Sequence, residues 1–120
     1  MRRKGCVDIV VEERADDLVV RVEELRIDAA VAVRFKDEMR ARCSGAQARV
    51  VLDLSCVEFL DSSGLGAVVA VLKELTPEKT LALAGLTPNV QKVFRLTRMD
   101  TVFTVFPDVE SAFTGVAHAS

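Results

Sequence analysis

The 120-residue chain predicts a single α/β domain. Its architecture is a mixed, mostly parallel β-sheet with about four helices, in the order ββαβαβαβα. Three observations lead there. Short β-branched runs recur along the chain, stretches with apolar residues at helical spacing separate all but the first two, and capping or breaking residues mark the boundaries. Strands that alternate with single helices imply parallel pairing through right-handed crossovers. Two strands in succession imply an antiparallel hairpin at one side of the sheet.

The elements follow in order. Val7–Glu12 and Leu18–Glu23 are β-branched runs around the polar segment Glu13–Asp17, and they read as the hairpin. Asp28 is a good N-cap, because its carboxylate can accept from the free N–H groups of a first turn. Ala32, Phe35 and Met39 then give an amphipathic helix that ends near Cys43-Ser44-Gly45. Arg49–Leu54 reads as a buried central strand and Ser55–Leu60 as a loop. Asp61-Ser62-Ser63 opens the second helix, whose apolar stripe is Leu65, Val68, Val69, Leu72 and Leu75 and which stops at Thr76-Pro77. Thr80–Ala84 is a strand, and Thr87-Pro88 caps a third helix with Val90, Val93, Phe94 and Leu96 turned inward. Thr101–Phe106 alternates as a last strand, and Pro107-Asp108 opens a last helix with Val109, Ala112 and Phe113 on one face. Residues 1–120 form one domain on this reading, with a core over about 7–115 and frayed ends.

Composition excludes several function classes. Half of the residues are apolar, which is incompatible with general disorder. There is no Trp or Tyr and the net charge is −2, so the chain has neither the stacking platforms nor the basic footprint of a nucleic-acid binder. Cys6, Cys43 and Cys56 are odd in number and lack CxxC spacing, which argues against a disulfide framework or a zinc site and fits a reducing compartment. Met1-Arg2-Arg3-Lys4 is basic, but no apolar run long enough for a signal peptide or a membrane span follows. A cytoplasmic protein without a cofactor or metal is expected.

Catalytic groups are scarce. His118, the single histidine, is the third residue from the C-terminus, a poor base for a Ser-His-Asp triad. Gly64-Leu65-Gly66 matches neither GxGxxG nor GxxxxGK[ST], and Leu60 stands where a GxSxG elbow needs its first glycine. Asp53, near the end of a central strand, has no acidic pair or strand-end Lys to make it a phospho-acceptor and reads as an ordinary carboxylate. The informative segment is Asp61-Ser62-Ser63-Gly64-Leu65-Gly66. It is N-cap chemistry, yet richer than a cap requires: each glycine in a helical turn costs about 0.5–1 kcal/mol relative to Ala. Small residues there would let another backbone approach, and a hydroxyl at a helix N-terminus is a favourable place for a phosphate.

These residues resemble a known family. Val50-Val51-Leu52-Asp53-Leu54 followed by Val57–Gly66 is similar to the signature of STAS-domain anti-sigma factor antagonists. Arg26-Ile27-Asp28-Ala29-Ala30 resembles that family's first-helix approach, and Leu86–Phe94 its third-helix opening, so the resemblance runs over about 7–115. It implies a non-enzymatic bacterial regulator of transcription, an anti-anti-sigma factor working by partner switching. Ser62 would be the residue phosphorylated by an ATP-binding serine kinase that doubles as the anti-sigma factor. A PPM-type phosphatase would reset it. Asp28, Asp61, Ser62, Ser63, Gly64, Leu65 and Gly66 would form the partner-binding surface. The family often has Gly near the position held here by Leu25, so the loop before the first helix is expected to differ in shape. Two alternatives stay open: an unphosphorylated STAS scaffold of a stress-signalling or membrane-transporter complex, and a small hydrolase using Asp53 or Ser62.

Overall fold

A computed structural model describes residues 8–14, 16–45, 47–76 and 78–114. Seven strands and four helices run in the order β1 (Ile9–Arg14), β2 (Asp17–Val22), β3 (Arg26–Ile27), α1 (Ala29–Arg42), β4 (Arg49–Asp53), β5 (Phe59–Leu60), α2 (Ser62–Leu75), β6 (Thr80–Ala84), α3 (Pro88–Leu96), β7 (Thr104–Phe106) and α4 (Val109–Thr114), with a 3-10 turn at Met99–Thr101. The main sheet has the order β1-β2-β4-β6-β7. Its β1–β2 hairpin is antiparallel and every other pairing in it is parallel, as the sequence predicts.

The central strands are apolar without alternation because both faces are covered. Val50, Val51, Leu52 and Asp53 of β4 are all buried. On the broad face Leu18, Val20, Val50, Leu52, Leu81 and Leu83 meet Phe35 and Met39 of α1 and Val68 and Val71 of α2 in the main core. On the other face Val19, Val51, Ala82, Ala84 and Phe106 meet Ala112 of the short α4. Arg14 and Arg49 hold that helix down: their guanidinium carbons lie 4.9 and 5.4 Å from the Phe113 ring centroid, and Arg49 also donates to the Ala112 carbonyl and to Asp17.

Five expectations are corrected. Arg26–Ile27 and Phe59–Leu60 form a separate parallel two-stranded sheet where the sequence reads only approach and loop, since two-residue strands carry no periodic signal. Only Thr104–Phe106 of the expected Thr101–Phe106 strand is extended, because the 3-10 turn takes Thr101 and Phe103 turns in to pack edge-on against Phe94 at 5.8 Å. Leu96, expected inward, is 71% exposed, since the helix has already turned its apolar face past the core at Phe94. Thr87 holds the cap position of α3 without a side-chain cap bond: its hydroxyl donates instead to the Val57 carbonyl, at 2.7 Å, and ties α3 to the approach of β5. The stripe of α2 also centres on Ala67, Val68 and Val71, with Leu65, Val69 and Leu72 at its margins. Cys6, His118 and the C-terminal tail lie outside the described residues.

Candidate functional site

The small β3–β5 sheet builds the site. Its register pairs Arg26 with Phe59 and Ile27 with Leu60. The next residue on each strand is a helix cap, Asp28 on one side and Asp61 on the other. Two residues 33 positions apart in sequence thereby start α1 and α2 side by side, and those helices pack along their length. Asp28 Oδ1 accepts from the Ala30 and Val31 N–H groups at 3.1 and 3.3 Å. Asp61 Oδ1 accepts from the Gly64 N–H at 2.9 Å, so the cap serves the third helical residue.

Ser62 and Ser63 follow at the first two helical positions, where N–H groups have no partner within the helix. Both side chains are exposed, and among the described residues neither hydroxyl is hydrogen-bonded to the protein. Ser62 is therefore a free nucleophile-bearing side chain on solvent, at the positive end of a fourteen-residue helix. Beside it stand two carboxylates, Asp61 and Asp28, each anchored by backbone N–H groups.

The two glycines of the hexad have different reasons to be there. A Cβ on buried Gly64 would sit 1.9 Å from the Ile27 carbonyl oxygen and 2.8 Å from Leu60 Cδ1. Glycine at 64 is what lets α2 start directly against the small sheet. A Cβ on Gly66 would meet nothing within 4 Å, and Gly66 is exposed with no positive φ. The fold has no use for glycine at 66. Leu65, half-buried, packs against the core.

Two exposed apolar side chains that the sequence analysis did not assign to the site lie at the amino ends of the same small sheet. The Glu58 and Phe59 N–H groups donate to the Leu25 carbonyl, at 2.7 and 3.1 Å, which brings Leu25 and Phe59 together at the mouth of the small sheet. Leu25 is 69% exposed and Phe59 45% exposed, with the Arg26 guanidinium over the Phe59 ring at 5.3 Å. Leu25 stands out in the sequence only as a departure from the family's glycine; Phe59 lies in what reads as loop. What would have found them is the β3–β5 pairing itself.

A second concavity, of about 460 Å³, opens at the carboxyl ends of β4, β6 and β7, lined by Asp53, Ser55, Gly85, Leu86 and the Pro107–Glu110 turn. Asp53 is buried there and accepts from the Ser55 N–H at 2.9 Å. Ligands often bind at this end of parallel sheets, but the carboxylates of Asp53, Asp108 and Glu110 disfavour an anion. Among the described residues no group of three His, Cys, Asp or Glu side chains could hold a metal ion, and no helix is long and apolar enough to cross a membrane.

A mixed, mostly parallel sheet with a free serine at the head of a crossover helix, framed by capping carboxylates, is a domain of the STAS type. The chain belongs to the STAS domain family, whose model matches residues 8–112. It is similar to an anti-sigma factor antagonist of Mycobacterium paratuberculosis, whose crystal structure superposes with a TM-score of 0.82 at 28% identity over 97% of this chain and 98% of that one. It is 29% identical over 101 residues to BtrV of Bordetella bronchiseptica, a protein named for anti-sigma factor antagonism, covering 83% of this chain and 87% of that protein. It is also 26% identical over 110 residues to the anti-sigma-B factor antagonist of Listeria monocytogenes, covering 91% and 96%.

Proposed function

We propose that this protein is an anti-sigma factor antagonist that works as a phosphorylation-controlled partner switch, with Ser62 as the phosphate acceptor. The names of its relatives support the antagonist role. The observation that carries the switch is the exposed Ser62 hydroxyl, free of protein hydrogen bonds, at the N-terminus of α2. Unmodified, the surface made by Asp28, Asp61, Ser62, Ser63, Leu65 and Gly66, with Gly64 beneath it, docks an ATP-binding anti-sigma serine kinase and so frees the sigma factor. A PPM-type phosphatase restores the unmodified form. The site works without cofactor or metal, in the cytoplasm.

The physics of the switch follows from the charges. Phosphorylation adds about −1.5 to −2 charges. The free N–H groups of the first turn accommodate them in the isolated domain, so the fold survives. At a docked interface the same charge is desolvated beside Asp61 and Asp28. An unpaired charge buried at an interface costs roughly 2–5 kcal/mol, which lowers affinity about 30-fold to several thousand-fold. Leu25 and Phe59 supply the apolar contact that the phosphate disrupts.

Phosphopeptide mass spectrometry after incubation with a cognate kinase and ATP tests the assignment. Phosphate on Ser62 and on no other residue is the expected result. Phosphate on Ser63 instead, or none at all, would refute it.

A further inference from the structure

A second exposed surface lies at the opposite end of the sheet from Ser62. Ser62 opens α2 just past the carboxyl ends of β4 and β5, whereas α3 descends to the 3-10 turn at Met99–Thr101, which precedes the amino end of β7. At that lower corner Leu96 is 71% exposed and Val102 52% exposed, on segments packed against each other. Around them stand Lys92, Arg95 and Arg98, all exposed and, among the described residues, none in an ion pair. Asp100 is the one acidic residue from 79 to 102, so a chain of net charge −2 carries here three cations against one carboxylate, a locally cationic face with two apolar side chains in it.

We propose that this corner is a second protein-docking surface, for an acidic segment of a partner that covers Leu96 and Val102 with an apolar side chain of its own. Charge decides among the occupants. Lipid-binding basic clusters typically hold about four to eight Lys and Arg, and three cations on a net-negative protein fall short of that. An anionic bilayer also meets more than one corner of the molecule, while a short acidic segment meets only charges within about 8 Å. Nucleic acid would demand stacking residues, and this corner has none exposed. Its distance from the Ser62 end allows both surfaces to be occupied together, so the second contact does not depend on the phosphate switch.

The test is an NMR titration of the full chain with a short synthetic Glu- and Leu-rich peptide. Shifts confined to residues 88–102 are expected, with affinity falling on going from about 50 mM to about 300 mM salt as exposed charges are screened. The triple variant K92E/R95E/R98E should weaken binding by about tenfold or more, and Leu96→Ser several-fold. Both leave the fold intact, because each side chain is exposed. Shifts gathered around Ser62, no saturable binding, or tighter association with vesicles of equal phosphatidylglycerol and phosphatidylcholine than with the peptide would overturn the proposal.

Discussion

The two glycines at the head of α2 make opposite predictions for the same substitution. At Gly66 an added methyl group meets open space, and the backbone is ordinary helix. Alanine there should stabilise the fold by about 0.5–1 kcal/mol, by raising helix propensity and restricting the unfolded chain. For 120 residues the unfolding entropy is about 250 cal/mol/K, so Tm should rise by roughly 2–4 °C. At Gly64 the methyl carbon would lie 1.9 Å from the Ile27 carbonyl oxygen. Relief to an ordinary contact requires β3 and α2 to part by about 1.5 Å, an overpacking penalty of about 1–3 kcal/mol. Gly64→Ala should therefore lower Tm by roughly 4–12 °C. Urea denaturation of both variants beside the parent reads the difference directly, because each midpoint is compared at a common m-value. A Gly66→Ala variant that is less stable than the parent, or a Gly64→Ala variant that is equally stable, refutes the division between structural and surface glycine. If Gly66 serves docking, the stabilised Gly66→Ala protein should also bind the kinase less tightly.

Further predictions test the surrounding contacts. Asp61→Ala removes the acceptor of the Gly64 N–H and should cost about 1 kcal/mol in urea titrations. Thr87→Val leaves the Val57 carbonyl without its hydroxyl donor and should cost about 1–2 kcal/mol by the same measurement. Leu25→Ser should leave stability within about 0.5 kcal/mol of the parent and Phe59→Ser, which loses half-buried ring area and the Arg26 contact, should cost about 1 kcal/mol, while both weaken kinase binding as read by calorimetry. Burial pushes the Cys43 thiol up from 9.0 to about 11, against the opposing charge of Lys79. The folded protein thus keeps a proton that the unfolded chain releases, so this group leaves stability unchanged below about pH 9 and lowers it between about pH 9 and 11. Cys43→Ala should remove that part of the alkaline slope in denaturation curves taken across the range.

Much of this fold is legible in the residues because its long elements announce themselves. The β-branched runs at β1, β2 and β4 and the short apolar run at β6 give the strands, and Asp28, Asp61 and Pro88 mark helix starts that the structure keeps. The main-sheet helices were readable from Phe35, Met39 and Val68, which do reach the core. What stayed hidden depends on pairing between distant short segments. Neither Arg26-Ile27 nor Phe59-Leu60 has length enough to show a period, yet their ladder sets Asp28 beside Asp61 and lifts Leu25 and Phe59 into solvent. Leu96 misled for a related reason: helical spacing fits it to the apolar face, but the core contact of the helix ends two residues earlier, at Phe94. The hexad's special character was visible, whereas the separate duties of Gly64 and Gly66 needed the position of the Ile27 carbonyl.

Calorimetric titration of an ATP-binding anti-sigma serine kinase with this chain, unmodified and stoichiometrically phosphorylated on Ser62, bears most directly on the switch. The unmodified protein should bind, and the phosphorylated one should bind at least about 30-fold more weakly while giving the same circular dichroism spectrum. Equal affinity of the two forms, with the phosphate verified on Ser62, would contradict the account.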